Sequence, residues 1–167
     1  MDAKTHFDPL ERYAEIERLA GKVYFRFSHL FLNHAELRDF WWQMAMDEVQ
    51  HSAVLLSFKQ LIENYPKKFL DPSISQEKAD QLKAQISDYL SKGTPSITTE
   101  ESFKIALEIE TSELDVIYSK LLKLGDPKIA KTMEKLVVPA SVQRKKLKSA
   151  VLRFSNDAEL REAVKDL

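Results

Sequence analysis

Helix-start signals recur along this chain, each standing just ahead of apolar residues spaced three and four apart. Asp8-Pro9-Leu10-Glu11 supplies a cap, a proline at the first helical position and a glutamate that completes a capping box. Asn33 with Glu36, Ser73 with Gln76 and Thr98 with Glu101 repeat the spacing of cap and carboxylate or amide. Asp126-Pro127 opens a further helix, and Asn156 with Glu159 opens a short C-terminal one. The apolar pattern behind these starts predicts long helices over 9–32, 34–64, 99–124 and 127–154. Only 3 of the 167 residues are glycine, which leaves few places for the chain to turn freely.

The first two long helices have almost no connection between them, and the last two are joined through Gly125. Short connections make antiparallel neighbours. Between the pairs lies a stretch from Pro66 to about Ser96. It holds a shorter amphipathic helix with Ala79, Leu82, Ile86 and Leu90 on one side. A connection that long can cross a bundle from end to end. The expected fold is therefore all-α: one domain over 1–167, an antiparallel four-helix bundle with a long crossover between its second and third helices.

Composition narrows the function. A formal net charge of -1 carries no overall basic bias, which speaks against nucleic-acid binding. The chain has no cysteine, so disulfides, thiolate metal sites and a catalytic thiol are excluded. No apolar run reaches transmembrane length, so no membrane partner is expected. The opening MDAKTHFDPL shows no apolar signal core, and a cytoplasmic protein is the expectation.

The stripes of the four helices are each interrupted by charge. The first runs Tyr13, Glu17, Ala20, Tyr24, Phe27, Phe31, and the second Leu37, Trp41, Met44, Glu48, His51, Leu55, Phe58, Ile62. The third runs Phe103, Leu107, Glu110, Leu114, Ile117, Leu121, Leu124. The fourth runs Met133, Leu136 or Val137, Ala140, Arg144, Leu147, Val151, Phe154. A buried carboxylate costs several kcal/mol unless it is paired or binds a metal. Four stripes with charge at one level therefore imply mutual compensation. Glu17, Glu48, His51 and Glu110 are the candidate ligands or acceptors, and Arg144 is the matching cation. Glu113, three residues beyond Glu110, is expected beside it on nearly the same face. The aromatic residues of the stripes read as packing, and Trp42, off the stripe, marks a candidate interface.

Glu17 followed by Tyr24-Phe25, then Met46-Asp47-Glu48-Val49-Gln50-His51, then Glu110, Glu113 and Tyr118, resembles the rubrerythrin branch of the ferritin-like superfamily. Two hairpins and one long crossover are also the ferritin-like arrangement. The resemblance implies a homodimer and two irons between the helices. The first and third helices would each give a glutamate, and the second and fourth each a Glu-x-x-His. The implied chemistry is oxidation by dioxygen or peroxide, or iron oxidation and storage. Glu17, Glu48 and His51 match the first half of that site, Glu110 the third-helix ligand, and Glu113 an extra carboxylate.

The fourth helix departs from the pattern. The expected Glu and His fall at Ser141 and Arg144, and Pro139 should kink the helix. The cysteine-ligated, rubredoxin-type electron donor domain is missing. Two readings follow. In one, Glu17, Glu48 and His51 hold a single iron, manganese or zinc ion, with redox activity toward peroxide or dioxygen. In the other, the bundle is metal-free, Arg144 balances the carboxylates in a buried network, and the protein is a binding or structural module.

Overall fold

The computed structural model describes residues 7–62 and 73–167. The expected helix end at 63–64 and the start of the crossover at Pro66 lie outside the described residues. Among these residues there are eight helices and no strand: α1 Pro9–Leu30, α2 Ala35–Leu61, α3 Gln76–Lys92, α4 Thr99–Glu110, α5 Leu114–Leu122, α6 Pro127–Glu134, α7 Ala140–Phe154 and α8 Ala158–Ala163.

Several starts are capped where the sequence places them. The Asp8 side chain accepts from the Glu11 N–H, Asp126 caps ahead of Pro127, and Thr98 with Glu101 forms a reciprocal capping box. Three others are shifted. His34, not Asn33, caps α2; Ser75, not Ser73, caps α3; and Asp157, not Asn156, caps α8.

The chain reverses between α1 and α2, which then pack along one another. A Cβ on Gly21 would sit 3.3 Å from both the Ala45 carbonyl oxygen and the Glu48 Cβ, so the glycine permits this close approach next to the site. α3 lies against α1; α4 touches α1 and α7; α5 touches α1, α2 and α6. Trp41 is fully buried and joins three elements through ring contacts with Tyr24, Phe27, Phe40 and Phe103 at centroid distances of 4.7–5.8 Å. Trp42 is exposed and its ring meets that of Phe25.

The two helices expected over 99–124 and 127–154 are each broken. Thr111 Oγ1 donates to the Leu107 carbonyl and Ser112 Oγ to that of Ile109, while the Leu114 N–H turns to Ser112 Oγ. Hydroxyls that compete for backbone partners end α4 at Glu110 and restart the chain as α5. The second break covers 135–139 and ends at Pro139, which has no N–H to continue a ladder. It is a full interruption, larger than the kink expected there. No helix among the described residues is long and apolar enough to cross a membrane.

Candidate metal centre

Tyr13, Glu17, Ala20, Tyr24 and Phe27 form one buried face of α1, and Met44, Glu48, His51, Leu55 and Phe58 one buried face of α2. The two faces meet, so the three polar residues are brought together in the core. Glu17, Glu48 and His51 are 1–3% exposed, and each offers a ligand atom within 4.8 Å of the others.

His51 Nδ1 lies 3.3 Å from Glu48 Oε2 and 3.7 Å from Glu17 Oε2. Metal–ligand bonds of about 2.0–2.2 Å separate neighbouring ligand atoms of a tetrahedron by about 3.4 Å. The observed spacings suit a single small divalent ion. Neither Glu17 oxygen has a hydrogen-bond partner, although both are buried. The carboxylate has an ion pair with His51 at 3.7 Å but no donor at hydrogen-bond distance, which suits a cation between them.

The imidazole is oriented from outside. His51 Nε2 is 2.9 Å from the Val138 carbonyl oxygen, in the break between α6 and α7. A carbonyl only accepts, so Nε2 carries the proton and donates, and Nδ1 faces the carboxylates as the ligand atom. The Tyr118 ring packs against the imidazole at 4.9 Å between centroids.

The charges are strongly coupled. Burial opposes a positive His51, but hydrogen bonding and the charges of Glu17 and Glu48 outweigh it and raise its pKa. Burial raises the Glu48 carboxyl to about 8; His51 pulls it down and the Glu17 charge pushes it up. Burial and the Glu48 charge also hold Glu110 well above the carboxylate range, despite a hydrogen bond from Tyr24. Without a metal, the centre therefore retains protons at neutral pH on His51 and Glu48.

The remaining expected residues fall in three places. Glu110 is buried beside the cluster and accepts from the Tyr24 hydroxyl at 2.7 Å. Glu113 is exposed, because the break at Thr111–Ser112 turns it away from Glu110; it lines a surface depression with Lys78 and Gln81. Arg144 reaches neither the Glu48 nor the Glu110 carboxylate. Its Nη2 pairs with Asp115 at 3.1 Å, its Nε donates to the Glu110 backbone carbonyl at 3.0 Å, and its side chain is 33% exposed.

The α7 residue that enters the centre is Gln143, which is fully buried and donates from Nε2 to Glu48 Oε1 at 2.9 Å. The sequence contained a signal for it. Counted afresh from Pro139, the inward positions are Gln143, Leu147, Ala150 and Val151. Counting through the break slips the register by one, to Arg144. Asp115, partly buried and pushed up by burial and the Glu48 charge against Arg144, was also missed.

A cavity of about 220 Å³ adjoins His51 and is lined by Asp115, Tyr118, Glu134, Val138 and Pro139 among others. It sits at the break before α7. No family model, curated protein or solved structure matches the chain.

Proposed function

We propose that this protein is a ferritin-like bundle that binds one iron(II), manganese or zinc ion between Glu17, Glu48 and His51. α1 and α2 are the first two columns, α4 with α5 the third, α6 with α7 the fourth, and α3 the crossover. The observation that carries the metal reading is the buried Glu17 carboxylate, without a donor on either oxygen, facing an imidazole whose other nitrogen is committed to Val138. Two carboxylates and one imidazole suit these ions, and three protein ligands leave positions open for exchange.

A bound iron would supply redox exchange with peroxide or dioxygen. The chain's own part is to hold the ligands. Val138 fixes the His51 tautomer, Tyr118 holds the ring plane, and the Tyr24 hydroxyl donates to Glu110. The cavity beside His51 gives small molecules an approach from the broken fourth column. A homodimer through the exposed Phe25 and Trp42 face belongs to the same reading.

The metal-free alternative loses its motivating contact, since Arg144 engages Asp115 and a backbone carbonyl rather than the buried carboxylates. Elemental analysis after anaerobic reconstitution with iron(II) or manganese tests the proposal. One metal ion per chain is expected, lost in both Glu17→Gln and His51→Ala. A folded wild-type protein that retains no stoichiometric metal would overturn it.

A further inference from the structure

Gln143 is the one neutral polar side chain of α7 that is fully buried, and half of its amide has no partner. Its Nε2 donates to Glu48 Oε1, whereas its Oε1 is buried without a hydrogen bond. With Glu48 ionised, as it must be when it ligates a metal, the reversed amide would set two acceptor oxygens against each other, so this orientation is the one that suits the metal-bound centre. Glu48 Oε2, the oxygen on the His51 side, remains for a metal.

We infer that Gln143 is a positioning residue of the metal centre. Its N–H holds Glu48 as a one-oxygen ligand, and its free amide oxygen accepts a hydrogen bond from a water on the ion. This rests on the metal reading above. A divalent ion with three protein ligands keeps water in its open positions. That water needs a buried acceptor, and Gln143 Oε1 is buried, unpartnered and on a side chain already hydrogen-bonded to a ligand. Outer partners of this kind change metal affinity by about 10–100-fold.

The test is a Mn(II) titration of the full chain and of Gln143→Met, followed by electron paramagnetic resonance, with thermal melts of both metal-free proteins. Methionine keeps the side-chain length and removes both polar atoms. The expected result is a folded variant that binds Mn(II) about 10–100-fold more weakly, with a changed resonance pattern from the altered ligand shell. A merely structural role would shift the melt and leave affinity and spectrum unchanged. A folded variant with affinity within about two-fold of wild type and the same spectrum overturns the inference while leaving the metal site standing. A wild-type protein that binds no Mn(II), Fe(II) or Zn(II) overturns the metal reading itself. If Gln143→Met fails to fold, Gln143→Leu is read by the same criteria.

Discussion

Metal affinity should rise steeply with pH through neutrality, because the ion must displace protons that the buried centre holds. His51 Nε2 donates to Val138, so the ion must take Nδ1, which carries a proton when the ring is charged. The raised pKa keeps that proton throughout the neutral range, since Glu17 and Glu48 outweigh the cost of burial. Glu48 holds a second proton up to about pH 8. Binding below pH 8 therefore releases two protons, and the association constant should increase about 100-fold from pH 6 to 7. Above pH 8 Glu48 is already ionised and the gain falls to about ten-fold per pH unit.

A surface site of ordinary glutamates and histidine would release almost nothing above pH 7. Calorimetric titration of Zn(II) at pH 7, repeated in buffers of different ionisation enthalpy, counts the protons directly. Release of fewer than about half a proton per ion would refute the coupling of His51 and Glu48 described here.

Two other outcomes are expected. Without metal, stability should fall as pH rises. Glu48 and His51 both have folded pKa values above their unfolded ones, so the folded state holds extra protons above about pH 4.5, and that contribution is lost as each group ionises. Chemical denaturation should give a decline of about 4–7 kcal/mol between pH 5 and 9, the lower figure from Glu48 alone, and a flat profile would contradict the buried protonation. Arg144→Ala should cost about 1–2 kcal/mol by the same assay, because the pair with Asp115 is partly exposed. A loss of about 3–5 kcal/mol would return Arg144 to the fully buried network that its sequence position suggested.

The parts of the centre that can be read from the sequence lie on unbroken helices. α1 and α2 run without interruption through Glu17 and through Glu48 and His51, so counting by threes and fours puts those residues on the inner faces. Glu113 and Arg144 lie beyond breaks, where the count no longer applies. The break at 111–113 comes from Thr111 and Ser112 hydroxyls that bond their own helix carbonyls, a choice that a helical apolar pattern does not reveal. The second carries an explicit signal in Pro139, but the loss extends from Lys135, before the proline. Three caps moved by one or two residues, to His34, Ser75 and Asp157, because each start offers more than one polar residue able to cap and the pattern does not choose between them.

The same breaks supply the support that an intact helix would withhold. In a continuous fourth helix the Val138 carbonyl would accept from the Val142 N–H. Here that N–H bonds to Pro139, and the Val138 oxygen is left for His51. In a continuous third helix the Glu110 carbonyl would accept from the Leu114 N–H. That N–H goes to Ser112 Oγ, and the Glu110 oxygen accepts from Arg144 instead. Each interruption thus frees one carbonyl for a donor from another helix, and one of the two fixes the ring that faces Glu17 and Glu48. The Pro139 break also restarts α7 in a register that brings Gln143 to Glu48. The carbonyl anchor on His51 and the entry of Gln143 beside Glu48 therefore have one origin, the interruption ahead of α7, which holds the Glu17, Glu48 and His51 group from outside.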